Sequence, residues 1–178
     1  MKNADQKAFF QGCLYTALIE LMEIMPYEKI SIGELCEKAG VSRMTYYRSY
    51  NGKEDILIKH LDECFSIYLS DVKENSSLSV YDISRKYFSL LSSAEKRFFS
   101  LIVKSGLSYI LMERFYIYFQ YTIDFIVPNT DVPPYIRSFL TGGLYKITID
   151  WVSNGMDKSE EEMACLITTL ASTASFLR

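Results

Sequence analysis

Apolar residues recur in pairs four positions apart near the start of the chain: Phe9/Phe10, Cys13/Leu14, Ala17/Leu18 and Leu21/Met22. The spacing lays one stripe along an amphipathic helix over residues 5–25. Pro26 disfavours helical geometry at Met25 and ends it. Ser31-Ile32-Gly33-Glu34 has the S-x-x-E spacing of a capping box, in which hydroxyl and carboxylate each satisfy the other residue's amide. A helix of about two turns should follow and stop at Gly40, which tolerates the left-handed conformation of a helix end. Ser42 offers the next N-cap, for a short helix from Arg43 to Tyr50, and Asn51-Gly52 break the chain again.

From Lys53 to about Val72 the apolar positions Leu57, Leu61, Cys64 and Tyr68 are again helical in period, and Glu54 and Asp55 suit the positive end of the helix dipole. Further helices are expected at about 80–92, 94–104, 107–127, 135–154 and 159–177, punctuated by Gly106, Pro128, Pro133-Pro134 and Gly155. No period-two alternation persists long enough to argue a sheet. The pattern predicts an all-α chain of about nine helices, in two parts: a helix-turn-helix unit over residues 1–52 and a larger helical domain over residues 53–178.

Composition narrows the function. The 178 residues carry 19 Lys+Arg against 22 Asp+Glu, and 49% are apolar, the balance of a soluble globular protein. No run approaches the ~18 to 20 apolar residues of a membrane span. Met1 to Lys7 lack a signal peptide's apolar core, so a cytoplasmic protein is expected. Cys13, Cys36, Cys64 and Cys165 are widely spaced and read as free thiols. With His60 as the one histidine, neither a metal nor another cofactor is expected. No glycine-rich phosphate loop or nucleophile motif is present to suggest an enzyme.

Two short helices joined by a glycine turn form a helix-turn-helix arrangement, whose second helix can enter the major groove. Residues 42–53 hold three cations (Arg43, Arg48, Lys53), no acid, and the interleaved hydroxyls of Ser42, Thr45, Tyr46 and Tyr47. Cations and hydroxyls are the donors that phosphate oxygens accept from. The competing reading is an exposed basic turn with no ligand. The order of elements is more specific than the charge. The stretch ISIGELCEKAGVSRMTYYRSYNGKEDILIKHLD, from Ile30 to Asp62, resembles the DNA-binding signature of the TetR family of bacterial transcription regulators. The segment SFLTGGLYKITIDWVSNGMDKSEEEM, Ser138 to Met163, resembles the carboxy-terminal region of one of its subgroups.

The resemblance implies a homodimer on a double-stranded DNA operator. Ser31, Thr45, Tyr47 and Lys53 fall where the family contacts phosphates. Ser42, Arg43 and Met44 fall where base edges are read, with Tyr46 and Arg48 nearby. Met44 stands where many relatives carry Gly or Ala, and Ser49-Tyr50 replace His-Phe, Tyr50 keeping the aromatic that packs inside the unit. Residues 1–53 carry 7 basic and 6 acidic groups, a balance that suits site-specific rather than general DNA affinity.

The stretch from Leu107 to Val127 is apolar nearly all round, as in a central buried helix. Tyr109, Glu113, Tyr116 and Gln120 (with Asp124) form one polar stripe. They are the candidate lining of a small-molecule effector site; the competing reading turns the stripe to water. Ile136, Leu140, Gly143, Ile147 and Trp151 make one candidate dimer stripe, and Met163, Ile167, Leu170, Ala174 and Leu177 another. Mid-helix glycines at 142 and 143 cost roughly 1 kcal/mol each, which close helix approach would offset. The expected function is a repressor released by a small molecule. The alternative is a co-regulator whose second domain binds a protein partner.

Overall fold

In a computed structural model of the chain, residues 2–75, 77–93, 95–126 and 132–174 are described, with side chains from 6 to 123 (save 76 and 94) and from 132 to 172. Every regular element among them is helical: α1 (Lys2–Ile24), a 3-10 turn (Tyr27–Lys29), α2 (Ile32–Ala39), α3 (Arg43–Tyr47), α4 (Lys53–Glu74), α5 (Val80–Ser92), α6 (Lys96–Lys104), α7 (Ser108–Ile126), α8 (Pro134–Ser153) and α9 (Glu160–Ala174). The chain divides into two compact units, Met1–Glu63 and Cys64–Arg178, parting inside α4 rather than at its start.

In the first unit the capping box at Ser31 forms as its spacing predicts. Ser31 Oγ accepts from the Glu34 amide at 3.1 Å, and Glu34 Oε2 accepts from the Ser31 amide at 3.0 Å. The Ser31 hydroxyl, donating to Oε2 at 2.6 Å, and then the Ser31 amide hold the Glu34 carboxyl below its ordinary value. Gly40 ends α2 with φ 64°, a value that costs glycine nothing and a β-carbon much. Ser42 Oγ then accepts from the Thr45 amide at 3.1 Å and starts α3. That helix ends at Tyr47, short of the expected Tyr50. The chain turns there because the Asn51 amide is taken by Asp55 Oδ2, at 2.7 Å, in the first turn of α4. Leu14, Leu18, Met22, Leu35, Cys36, Val41, Tyr46, Tyr50, Ile56, Leu57 and Leu61 close the core of this unit.

In the second unit α5 packs against α9 along its length, and α8 packs on α6 and α7. Phe65, Tyr68, Tyr87, Phe115 and Tyr118 meet ring on ring with centroids 4.6 to 6.4 Å apart. Such pairs add about 0.5 to 1.5 kcal/mol beyond the area they bury. The Tyr87 hydroxyl, fully enclosed, pairs with Thr148 Oγ1 at 2.9 Å, and burial pushes its pKa well up.

Trp151 belongs to this core and corrects the expectation of an interface residue. It is 3% exposed, meets Phe88 edge to face at 5.1 Å, and donates Nε1–H to the Lys158 carbonyl at 3.0 Å. The expected stripe lies on the flank of α8, with Ile136, Leu140 and Ile147 half-buried. The outward face is rotated from it and carries Tyr135, Phe139, Gly143, Lys146 and Asp150. On α9, Met163 is buried, Ile167 half-buried and Leu170 exposed, while the side chain of Ala174 and all of Leu177 lie outside the described residues.

Trp151→Ala should therefore lower the unfolding free energy by about 3 to 5 kcal/mol through cavity formation. Urea unfolding at two protein concentrations checks this. A loss that appeared only as easier dimer dissociation would return the residue to an interface.

Candidate nucleic-acid interface

A helix of five residues has little stability of its own, so α3 depends on its attachments. Its N-terminus is held by Ser42, whose hydroxyl also pairs with Thr45 Oγ1 at 2.9 Å. Its inner side is held by Tyr46, which is 0% exposed. Tyr46 lies edge to face on Tyr47 at 5.1 Å and tilted against Tyr50 at 5.8 Å. Burial, with smaller contributions from Tyr47 and other neighbours, pushes its hydroxyl pKa up to about 12. Its Oη has no hydrogen-bond partner among the described residues. This corrects the placement of Tyr46 among DNA-facing residues: the ring is the anchor of α3, and its hydroxyl reaches no surface.

Inward burial of Tyr46 turns its neighbours outward. Arg43, Met44, Tyr47 and Arg48 are exposed, Met44 at 67% and Tyr47 at 61%, and Thr45 is half-buried beside them. Arg48 Nη2 approaches Met44 Sδ at 3.6 Å, so the two long side chains lie together one turn apart. Arg43 leans back over α2, where a β-carbon on Gly33 would stand 2.6 Å from Nη2. Gly33 thus seats the Arg43 guanidinium, a role that α-helical periodicity gives no means of detecting. Its only sequence signal is a glycine in the first turn of a helix where a better helix former was open to it.

Ser31 and Lys53 are placed differently from what the resemblance implies. The Ser31 hydroxyl is engaged with Glu34, 2.6 Å from Oε2, although the residue is exposed. Lys53 Nζ donates to the carbonyls of Tyr27 at 2.7 Å and Ile30 at 2.6 Å, and lies 4.3 Å over the Tyr27 ring. Desolvation lowers its pKa somewhat, against the pull of Glu28 and Glu54. The ammonium closes the loop between α1 and α2, and is not a free cation presented to a phosphate.

Two clefts among the described residues lie along α1. One, of about 490 Å³, lies between α1 and α2 and is lined by Phe9, Gly12, Cys13, Thr16 and Lys38 with their neighbours. The other, of about 380 Å³, lies between α1 and α3 and is lined by Gln6, Lys7, Phe10, Thr45, Arg48 and Ser49.

The residues nominated for an effector site in the second unit are not gathered around a cavity. Tyr109, Glu113 and Tyr116 face outward from α7. Gln120 is half-buried, its Oε1 accepting from Arg137 Nη1 at 2.8 Å. The buried side of α7 is occupied by Ile110, Leu111, Phe115 and Ile123, which leaves the polar stripe opposite. Met112, Ile117 and Tyr121 are exposed as well, so α7 is not enclosed all round as its composition suggests. The Asp124 side chain lies outside the described residues.

These elements define a class: an all-helical chain with a helix-turn-helix head and a larger helical second unit. A family model for a TetR-type transcriptional regulator C-terminal region matches residues 81–173, and the chain belongs to the TetR family of transcription regulators. The fold is similar to that of Lin0861 from Listeria innocua, with a TM-score of 0.77 and 21% identity over 97% of this chain and 93% of that one. It is also similar to the dihydroxyacetone kinase operon activator DhaS, with a TM-score of 0.64 and 18% identity over 90% and 93% of the two chains. These likenesses are of fold. No curated protein matches the chain at a significant level.

Lys53→Ala should cost about 1 to 3 kcal/mol of stability, the scale of losing charged hydrogen bonds to carbonyls left poorly satisfied. Urea denaturation measures it. Unchanged stability together with weaker DNA binding would instead mark Lys53 as a phosphate contact.

Proposed function

We propose that this TetR-type regulator acts as a homodimer that reads an operator with α3. The observation that carries the reading is the division of α3: Tyr46 is locked in the core while Arg43, Met44, Tyr47 and Arg48 stand outward together. Arginine at the start of such a helix can pair with guanine O6 and N7, Met44 offers an apolar contact to a thymine methyl, and Tyr47 and Thr45 suit phosphate oxygens. The parking of Arg43 over Gly33 leaves its guanidinium free of a carboxylate partner in the contacts described, so swinging into a groove breaks no strong ion pair.

Dimerisation is supported by the outward face of α8. Tyr135 is 89% exposed and Phe139 70%, and Leu166 and Leu170 of α9 are exposed too. A β-carbon on Gly142 or Gly143 would meet nothing within 4 Å. Packing inside one chain therefore does not account for two helix-interior glycines, and a second copy's helix lying close against them does. A twofold dimer also presents two recognition helices, which need a separation of about 34 to 36 Å to enter successive major grooves on one side of the duplex.

Regulation belongs to the second unit. A repressor released by a small molecule requires a cavity there, and Phe65, Tyr87, Phe115 and Tyr118 pack against one another ring on ring. A second reading, control by a protein partner, is favoured by the exposed side of α7, where Met112, Ile117 and Tyr121 flank the outward stripe of Tyr109, Glu113 and Tyr116.

Fluorescence anisotropy on the duplex upstream of the protein's own gene, beside a scrambled duplex, tests the reading. Arg43→Ala should lose about 1 to 3 kcal/mol on the preferred duplex and discriminate less between bases; an equal loss on both duplexes would remove its base-reading role. Phe139→Glu should give a folded monomer by sedimentation, with operator affinity reduced accordingly. A dimer persisting at nanomolar concentration would move the interface off this face of α8.

A further inference from the structure

We infer that the cleft between α1 and α3 is a second contact point for nucleic acid, taking one phosphate of the DNA backbone beside the recognition helix. This rests on the DNA-binding reading and adds residues outside the helix-turn-helix itself. The cleft is lined from α1 by Gln6, Lys7 and Phe10, and from α3 and the turn after it by Thr45, Arg48 and Ser49. Two cations, an amide and two hydroxyl residues converge there, and no carboxylate is among the lining residues. Its chemistry is that of an oxyanion site built from charged and neutral donors.

Three further observations point the same way. Lys7 is exposed, so its ammonium can reach a phosphate at the surface. Arg48 both lines the cleft and touches Met44, which places the cleft at the edge of the outward face of α3. Lys59 donates to the Ser49 carbonyl and lies 4.1 Å over the Tyr50 ring, adding a third positive charge behind the cleft wall. The volume, about 380 Å³, admits a phosphate with its hydration water. A phosphate gripped between α1 and α3 would set the angle at which α3 enters the groove, because backbone contacts fix register and orientation while base contacts choose sequence.

The test is the salt dependence of binding for the full-length protein on the upstream duplex and on its scrambled counterpart. Lys7→Gln should weaken binding to both alike and reduce the slope of log K against log salt by about 0.9 per subunit. Lys7→Arg should keep the slope, and Lys104→Gln, on an exposed residue of α6, should leave it unchanged. Since the residue lies on the surface, thermal unfolding of Lys7→Gln should match the parent. An unaltered slope in Lys7→Gln, with the parent still binding steeply, overturns the cleft and leaves the DNA reading standing. Failure of the parent to bind either duplex overturns both. A free oxyanion shares the same chemistry, so thermal unfolding is also compared in inorganic phosphate and in chloride at equal ionic strength. Phosphate stabilisation that Lys7→Gln abolishes, with unchanged duplex slopes, would make this a site for a free anion and overturn the assignment to DNA.

Discussion

Helix α3 is too short to form alone, and everything proposed for the first unit depends on its being held in one orientation. The burial of Tyr46 supplies that hold. Its ring is fully buried and packs against Tyr50, and the helical repeat then dictates that residues 43, 44, 47 and 48 cannot also point inward. The anchor leaves a buried hydroxyl without a partner among the described residues, a cost of about 1 to 3 kcal/mol in ordinary cases. A phenylalanine would avoid that cost, and the structure offers no reason for the hydroxyl.

The loops around α3 are fastened by separate devices that act on the same geometry. Ser31 and Glu34 secure the start of α2, Gly40 its end, and Ser42 the start of α3. Lys53 joins α4 back to the carbonyls of Tyr27 and Ile30, and Lys59 does the same for Ser49. Two of the cations near the recognition helix are thus spent on shaping the unit. Beside α3, the described cations that face outward are Arg43, Arg48 and Lys7, which suits binding governed by placement more than by bulk potential.

The second unit works by a different constraint, the packing of large rings. Phe65, Tyr87, Phe88, Phe115 and Trp151 interlock, and the polar atoms they carry inward find partners, Tyr87 in Thr148 and Trp151 in the Lys158 carbonyl. What remains outside is the unpaired apolar surface of α7 and α8, including Tyr116, Tyr135 and Phe139. Surface of that kind is where association is expected, and two glycines in α8 with open space around them mark one place for it.

Local chemistry written in the sequence determined the helices, their caps and the helix-turn-helix order, because S-x-x-E spacing, a glycine stop and a 3.6-residue period act between neighbours in the chain. That Tyr50 packs inside follows from the family resemblance and not from any local spacing. Only the tertiary structure decided which of the adjacent Tyr46 and Tyr47 is buried, since a tyrosine suits core and surface equally and the choice belongs to how α3 packs on α2. The same holds for α7, where aromatics occupy every face and the polar stripe turned outward because Leu111 and Phe115 fitted the core. It holds for Trp151, whose stripe on α8 lay on the flank rather than on the outer face. Lys53, Gly33 and the Lys7 cleft were illegible for a related reason. Each acquires its role from a residue distant in sequence, and no local pattern records what the folded chain brings beside it.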